Sequence, residues 1–440
     1  MVVRGGSVVS SQGVERVDVG INGQKIEAVG DLTDEPGVIE IDATNLHVFP
    51  GLIDTQVHFR EPGMEHKEDI ESGTRAAIAG GVTTIFEMPN TIPPTTTKEA
   101  LQDKLKRAKG RAWCDYAFFV GAATDNIDQL ASLEMEPGTP GIKIFMGSST
   151  GSLLVPDDDN LRQVLKHGKQ RCPVHAEDHY RLEERKKLLS EHPHVSEHPN
   201  IRDAECARMA TERLLRLSEE TGRPVHILHV STKDELPLIE KAKKQGLNTT
   251  CEITPQHLLF AHPEWYTALG KRAQMNPPIR SHEHRDALRQ ALRDGLFDVI
   301  GSDHAPHTID EKALPYPQSP SGMPGVQTIL PVMLSCVNER FLTLEKLVQM
   351  ACENPCLIYG IAKKGFIKPG YDADICVVDL QAERTVDKSW LESKCGWSPY
   401  EFMNLRGWPL HTILRGHVIV RDNEFVGNTV GKPVNFTWKH

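Results

Sequence analysis

Apolar runs alternate with amphipathic stretches through most of the chain. Eight short runs have the length and residue content of buried strands, and the stretches between them repeat apolar positions every three or four residues, which predicts helices. Segments 67–81 and 233–246 are two of these predicted helices, and both end in glycine. The eight predicted strands cover residues 49–59, 82–89, 114–122, 141–147, 173–178, 224–230, 248–254 and 297–306. Eight strand and helix units predict a closed parallel (β/α)8 barrel.

The two ends of the chain have a different pattern of apolar and polar residues. Short alternating runs fill residues 1–51, and similar runs return at 365–380 and 411–427, so both ends are predicted to be β-structure. Asn22-Gly23 lies between two alternating runs and predicts a tight hairpin. The alternative for the middle is an open doubly wound sheet. No glycine-rich phosphate loop follows the first predicted strand, which disfavours that alternative.

Charge and composition narrow the classes of function. The 440 residues include 50 Lys and Arg against 60 Asp and Glu, a net charge of −10, and no long basic run. Nucleic acid and anionic membranes are therefore not expected as partners, and no apolar stretch is long enough to span a bilayer. Nine scattered cysteines without a CxxC pair or a leader segment predict a cytoplasmic protein. An anionic substrate would have to be held by local basic residues.

Two stretches fall outside the strand and helix pattern. Residues 181–213 are rich in charge and histidine, and we interpret them as a solvated helical insertion with His192, His194 and His198 at the surface. Residues 308–325 are rich in proline and serine and follow the eighth predicted strand. Their composition is typical of a mobile loop, and a lid over the site would lie at this position.

Polar side chains follow several of the predicted strands at the point where each strand ends. In a barrel these ends meet on one face, which is where active sites lie. A lone buried histidine is usually a core residue, but histidines, a lysine and an aspartate at separate strand ends are suited to a divalent metal such as zinc. The residues at these ends are Gln56, His58, Asn90, Lys143, His175, His229, Asp303, His304 and His307.

Lys143 is an unusual neighbour for a cation. A lysine in a desolvated site has a lowered pKa, and its neutral amine can add carbon dioxide to form a carbamate, an anionic ligand able to bridge two metals. The alternative, a lysine that reaches out to solvent, suits an edge strand better than the middle of GIKIFMG. Zinc lowers the pKa of bound water from about 16 towards about 7, and Asp303 would then carry a proton to the leaving nitrogen during amide hydrolysis.

The remaining polar groups form a ring of donors. Arg60, Asn90, Asn276 and His307 are suited to a substrate that carries a carboxylate and a cyclic imide.

Several motifs together resemble the amidohydrolase superfamily and, within it, most closely the dihydroorotases. These motifs are GLIDTQVHFREPG, EMPNT, GIKIFMG, VHAED, LHVST, MNPPIRS, GSDHAPH and KPGYDADICVVDL. The resemblance implies a barrel hydrolase domain over residues 51–361 and a second, smaller β-sandwich domain built from residues 1–50 and 362–440. It also implies interconversion of L-dihydroorotate and N-carbamoyl-L-aspartate in pyrimidine synthesis.

The same resemblance implies a role for each site residue. His58 would bind one metal, His175 and His229 the other, and carboxylated Lys143 would bridge them. Asp303 would be both a ligand and the proton shuttle. Arg60, Asn90 and His307 would bind the substrate carboxylate, and Asn276 would contact the pyrimidine ring.

One position departs from the family pattern. The first strand of the family carries an HxH pair, and Gln56 stands where its first histidine is expected. Since an amide oxygen is a poor zinc ligand beside imidazole, we predict one firmly bound zinc and a second that is weak or absent. Gln56 is either a weak ligand or a hydrogen-bonding neighbour of the site.

Two other functions stay open. A hydantoinase or allantoinase would share the metal ligands and differ in the residues that bind the substrate. A catalytically silent subunit that serves as a scaffold for aspartate transcarbamoylase would explain Gln56, although the other metal positions are intact. We expect a homodimer, with aspartate transcarbamoylase as a candidate partner.

Overall fold

The computed structural model describes residues 1–33, 39–147 and 153–439. The strands of these residues are β1 (Val2–Arg4), β2 (Ser7–Ser10), β3 (Gly13–Arg16), β4 (Asp18–Asn22), β5 (Lys25–Gly30), β6 (Glu40–Asp42), β7 (His47–Pro50), β8 (Leu52–Val57), β9 (Val82–Glu87), β10 (Asp115–Phe118), β11 (Val120–Gly121), β12 (Ile142–Phe145), β13 (Cys172–His175), β14 (Val225–Ile227), β15 (Thr249–Ile253), β16 (Val299–Ile300), β17 (Ile375–Thr385), β18 (Asn404–Leu414), β19 (His417–Arg421) and β20 (Glu424–Phe425).

The helices lie mostly between the middle strands. They are α1 (Ile70–Ala79), α2 (Lys98–Ala108), α3 (Leu130–Leu133), α4 (Asp158–Lys166), α5 (His179–Lys186), α6 (His198–Ile201), α7 (Ala204–Thr221), α8 (Leu236–Lys244), α9 (Pro255–Leu259), α10 (Glu264–Leu269), α11 (His282–Arg293), α12 (Ile309–Ala313), α13 (Ile329–Asn338), α14 (Leu344–Val348) and α15 (Asn354–Tyr359). No helix among the described residues is long and apolar enough to cross a membrane.

Strands β8 to β16 form the barrel. All of their pairings are parallel, in the order β8, β9, β10 and then β11 to β16. The third barrel strand is divided at Phe119 into β10 and β11, and the Phe119 amide donates to the Glu87 carbonyl at 2.9 Å. The His58 amide donates to the His304 carbonyl at 2.8 Å and closes the ring between the first and last strands. Each of the eight predicted strands overlaps a barrel strand, so the barrel prediction is confirmed.

The first barrel helix illustrates how the sequence sets these elements. Asp69 caps α1 by accepting a hydrogen bond from the Ser72 amide at 2.8 Å, and apolar Ile70, Ala76, Ala77 and Ile78 are buried on the barrel side. The backbone then turns back through Gly80 and Gly81 into β9. Because all the barrel strands are parallel, every strand starts at one end of the barrel and its polar end lies at the other.

The two chain ends form the second domain. Its seven-stranded sheet joins β2, β3 and β7 of the N-terminus to β17–β20 of the C-terminus, and its four-stranded sheet contains β1 and β4–β6. Ile21 of the smaller sheet packs with Val48, Val377 and Ile413 of the larger one in a shared core. The predicted β-sandwich is confirmed. The boundaries at 50/51 and 361/362 stay a prediction.

Two local predictions need correction. The two residues between the paired Asn22 and Lys25 are Gly23 and Gln24, so the hairpin turn lies one residue later than Asn22-Gly23, with Gly23 at φ +58°. His198 is buried, whereas His192 and His194 are exposed as predicted. Residues 34–38 of the β-structure predicted over residues 1–51 lie outside the described residues.

Candidate metal and substrate site

One cavity of about 170 Å³ opens at the carboxyl ends of the barrel strands. All of the predicted site residues except His304 lie on its wall, although they come from seven different strand ends and loops. The lining residues are Gln56, His58, Arg60, Asn90, Lys143, Phe145, His175, His229, Asn276, Asp303, Ala305, His307, Ser321 and Gly322. The structure therefore brings together every side chain to which the sequence assigned a role in binding or catalysis.

His175 and His229 form a close pair at the ends of the fifth and sixth barrel strands. His175 Nδ1 lies 3.0 Å from His229 Nε2. Two nitrogens on one tetrahedral zinc ion lie about 3.3 Å apart, given Zn–N bonds of about 2.0–2.1 Å. Burial lowers the pKa of both imidazoles, which keeps them neutral and able to act as ligands. The pair therefore has the spacing and the protonation that a metal requires.

Glu177 fixes the orientation of His175. Its Oε2 lies 2.7 Å from His175 Nε2, which holds the imidazole proton on that nitrogen and leaves the lone pair on Nδ1. Burial opposes ionisation of Glu177, but the charge of Arg202 and the contact with His175 hold the pKa of this carboxyl well below its usual value. Arg202 Nε donates to Glu177 Oε1 at 3.1 Å. The buried ion pair of Glu177 and Arg202 thus fixes the orientation of His175.

Gln56, His58 and Asp303 occupy the opposite side of the cavity. Gln56 Nε2 donates to Asp303 Oδ1 at 3.0 Å, and His58 Nε2 lies 3.3 Å from the same oxygen. His58 Nδ1 lies 2.7 Å from Asn90 Oδ1, which fixes the proton on Nδ1. The Gln56 Oε1 atom is buried and has no hydrogen-bond partner among the described residues. Gln56 is therefore the donor to this carboxylate, and the lone pair of His58 Nε2 lies beside the same oxygen.

Lys143 is 1% exposed, and its Nζ has no hydrogen-bond partner in the described part of the chain. Burial lowers the pKa of this lysine well below its usual value, and the charges of Asp303 and Glu252 offset only part of that effect. Nζ lies 4.3 Å from the centre of the Phe145 ring. Desolvation thus shifts this amine towards its neutral form, which is the state that reacts with carbon dioxide.

These donors fit a metal when the lysine is counted among them. Within residues 1–33, 39–147 and 153–439, no three His, Cys, Asp or Glu side chains converge into a metal-holding group. Catalytic zinc sites use three protein ligands. The His175 and His229 pair therefore needs a third ligand, and an unpartnered buried lysine that becomes a carbamate would provide it.

Arg60 supplies a positive charge to the cavity wall. Its Nε donates to the Pro306 carbonyl at 3.2 Å, and burial lowers its pKa to about 10, so the guanidinium stays charged. No carboxylate of the described residues lies within ion-pair distance of it. Lys67 Nζ lies 3.2 Å from His307 Nδ1, and His307 Nε2 lies 3.0 Å from the Ser321 carbonyl oxygen and 3.3 Å from Arg60 Nη2.

Three site residues other than glycine have a left-handed backbone. The φ angles are +65° for Arg60, +35° for His229 and +45° for Asp303. Such conformations cost free energy in residues with a Cβ and are concentrated at functional sites. In this barrel they turn the side chains that follow each strand into the cavity.

The segment after the eighth strand covers the site. Residues 309–313, predicted as part of a loop, form α12 instead, while Ser321 and Gly322 line the cavity. A Cβ at Gly322, whose φ is +144°, would lie 2.3 Å from the Ala305 carbonyl oxygen, so only glycine allows this approach. Lys312 Nζ donates to the carbonyls of Gln274 at 2.9 Å and Gly322 at 3.1 Å, which ties the segment down.

Sequence reasoning missed several supporting residues. Glu177 lies two residues after His175, a spacing that places both on one face of an extended segment, and this signal could have found it. Arg202 and Lys67 contact residues that are distant along the chain, so no spacing pattern in the sequence indicates their roles. His304 turns away from the cavity, with Nδ1 accepting from the Gly325 amide at 3.0 Å.

The fold and this cavity define an enzyme of the barrel hydrolase class, and comparison with known proteins identifies its family. The amidohydrolase family model matches residues 47–419. The dihydroorotase of Geobacter metallireducens is 37% identical over 430 residues, covering 96% of this chain and 99% of that protein. The dihydroorotase of Methanosarcina acetivorans is 36% identical over 392 residues, covering 86% and 83%. The chain belongs to the amidohydrolase family.

A solved structure adds a second kind of relative. The L-hydantoinase (dihydropyrimidinase) of Arthrobacter aurescens superposes with a TM-score of 0.94 at 30% identity and covers 99% of both chains. The predicted fold, the predicted hydrolase and the resemblance to dihydroorotases are confirmed by these comparisons.

Proposed function

We propose that this chain is a zinc-dependent dihydroorotase, which reversibly hydrolyses the cyclic amide of L-dihydroorotate to N-carbamoyl-L-aspartate in pyrimidine synthesis. Its curated relatives with this name are 34–37% identical to it. The observation that carries the proposal is Arg60, a buried guanidinium on the cavity wall with no carboxylate partner among the described residues. A buried charge is stable when it is paired, and the substrate carboxylate is a suitable partner.

The other substrate contacts follow from this anchor. Asn90 and His307 lie on the cavity wall with Arg60 and would complete the carboxylate site. Asn276 lines the same cavity and would contact the ring. A carboxylate bound at Arg60 would leave the cyclic amide to extend towards Asp303.

Asp303 is the proposed proton shuttle. It would take a proton from the attacking water and return it to the ring nitrogen as the carbon–nitrogen bond breaks. Gln56 donates to Oδ1 of this carboxylate, which keeps the side chain in position for both transfers. A bound zinc ion supplies Lewis acidity and makes water acidic enough to lose a proton near neutral pH.

The proposed ligands form two unequal groups. His175, His229 and the carbamate of Lys143 would hold one zinc firmly. His58, Asp303 and the same carbamate would be the ligands of the second metal. On that side Gln56 donates its amide hydrogen to Asp303 and offers no imidazole. We therefore propose that the second metal is weak or absent.

Hydantoinase is the second candidate function. The L-hydantoinase of Arthrobacter aurescens has nearly the same fold over the full chain, which favours a cyclic amide without a carboxylate as an alternative substrate. Its identity of 30% is lower than that of the dihydroorotases. Arg60, which has no carboxylate partner among the described residues, also favours an anionic substrate.

The cellular compartment and the partners of the protein are part of the same proposal. All nine cysteines are buried and none forms a disulfide, which is typical of a reducing compartment such as the cytoplasm. We propose a homodimer, with aspartate transcarbamoylase as a candidate partner.

Substrate preference tests the function. The purified chain is expected to turn over L-dihydroorotate faster than hydantoin or allantoin. Arg60→Ala should raise the KM for L-dihydroorotate by about 10- to 100-fold, because a buried charge-assisted contact is lost. Arg293→Ala, an exposed position on α11, is the control. Preference for hydantoin or allantoin would overturn the assignment, and no turnover of any of the three would favour a silent scaffold.

A further inference from the structure

His198 lies between the active site and a second cavity. This neighbouring cavity, of about 500 Å³, shares Asn276 and Ser321 with the catalytic cavity and is lined on its own side by Leu189, His198 and Tyr316. His198 is 5% exposed, although the surrounding stretch is rich in charge. A buried histidine at this position is outside the set of residues that the proposed reaction uses.

The contacts of His198 determine where its proton lies. Its Nε2 lies 3.0 Å from Asn276 Oδ1 and 3.0 Å from the Met275 carbonyl oxygen. Both partners are acceptors, so Nε2 carries the hydrogen and donates it. Burial lowers the pKa of His198 to about 3, so Nδ1 is unprotonated and accepts from the Tyr316 hydroxyl at 3.3 Å.

This arrangement fixes the orientation of the Asn276 amide. An asparagine amide has an acceptor end and a donor end, and either can face a ligand unless a neighbour decides. His198 binds the oxygen from the side of the second cavity. Because Asn276 also lines the catalytic cavity, its amide nitrogen is the end that a ligand there would meet.

The residues that orient the Asn276 amide come from two segments, the insertion predicted to be solvated and the predicted loop after the eighth strand. His198 begins α6 in the insertion after β13, and Tyr316 belongs to the segment after β16 that covers the site. Gln274, two residues before Asn276, is bound by that same segment: its Nε2 donates to the Ser319 carbonyl at 2.9 Å. The insertion and the covering segment thus both hold the strand-end loop that carries Asn276.

We propose that His198 is a positioning residue for substrate recognition: it orients the Asn276 amide so that its nitrogen donates to a carbonyl oxygen of the cyclic amide. This inference rests on the proposed function, because it assumes that the ring lies against Asn276. The contact acts on binding of the ring and not on proton transfer at Asp303. Its loss should therefore change KM far more than kcat.

A series at one position tests the inference. His198→Gln keeps an N–H donor near the place of Nε2 and should change the KM for L-dihydroorotate less than about threefold. His198→Leu removes the donor, and His198→Asn is too short to reach Asn276, so both should raise KM about tenfold with kcat within about twofold of wild type. Tyr316→Phe should have a smaller effect in the same direction, and exposed His192→Leu is the matched control.

The outcomes are distinguishable. If His198→Leu fails to fold, the comparison of His198→Asn with His198→Gln decides the question. An unchanged KM in His198→Asn, or equal losses in the Gln and Asn variants, would overturn the positioning role while wild-type turnover still supports the proposed function. A wild-type chain without activity on L-dihydroorotate would instead contradict the proposed function itself.

Discussion

The two sides of the catalytic cavity are built differently. On one side, His175 is held by Glu177, and Glu177 is held by Arg202, whose carbonyl accepts from Arg280 Nη1 at 2.8 Å. On the other side, Asp303 accepts a hydrogen bond from Gln56 and lies beside the Nε2 lone pair of His58, and the Gln56 carbonyl oxygen is buried without a partner among the described residues. The first side has a histidine, His175, that is oriented by a hydrogen bond, beside His229, whose Nδ1 has no partner among the described residues, whereas the second has a carboxylate that is already hydrogen-bonded.

This difference separates two tasks. Ligands that are oriented by a second layer of hydrogen bonds bind a metal with little reorganisation. A carboxylate held in a fixed position by a hydrogen bond from an amide is placed to accept and return a proton. We infer that the His175 side holds the metal and the Asp303 side moves the proton, with Lys143 between them.

Removing Lys143 should have the largest effect. Lys143→Ala is expected to bind no zinc and to have no activity, because the His175 and His229 pair would lack its third ligand. Zinc per chain, measured by elemental analysis, and turnover of L-dihydroorotate test this. Propionate added with zinc should restore part of the activity, since it can place a carboxylate where the carbamate stood. A fully loaded and active alanine variant would contradict the carbamate ligand.

Asp303→Asn should separate the two tasks. We expect turnover to fall by about 10³-fold, because the proton acceptor is lost, while the zinc held on the His175 side stays bound. Turnover and zinc content of the same preparation test this. Asp310→Asn, an exposed carboxylate on α12, should change neither quantity. Turnover near the wild-type rate would exclude the proton role of Asp303.

The parts of this comparison that depend on local sequence could be predicted, and the parts that depend on distant contacts could not. Strand ends such as His58, Lys143 and Asp303 follow apolar runs, and the barrel then dictates that they meet. The pairing of Glu177 with Arg202, and of Lys67 with His307, joins residues that are 25 and 240 positions apart. A single sequence carries no signal for such pairs.

His198 shows the same limit in a sharper form. Its neighbours His192 and His194 are exposed, and a charged stretch of this composition predicts solvent contact. Burial of His198 results from Tyr316 and Met275, which lie more than 70 residues away along the chain. The interruption of the third barrel strand at Phe119 is likewise a tertiary effect, because the apolar run through it is continuous.

Glu177→Gln should have a smaller effect that is confined to the metal side. The amide can still accept a hydrogen bond from His175, but it no longer balances the buried charge of Arg202. We expect zinc affinity to fall about 10- to 100-fold, measured by competition with a chelator. Glu183→Gln on α5 is the control, because this carboxylate pairs with Lys186 at the surface. Unchanged affinity would mean that the second layer does not support the ligand.

Gln56→His should have the smallest effect on turnover and the clearest effect on metal content. The new imidazole would replace the amide hydrogen bond to Asp303 with a ligand, so zinc per chain should rise from about one to about two. Gln56→Leu, which removes the amide without adding a ligand, should leave the count at about one. If the histidine variant also binds a single zinc, Gln56 does not determine the metal count. The unequal support of the two sides would then have to be explained by Asp303 and His58 alone.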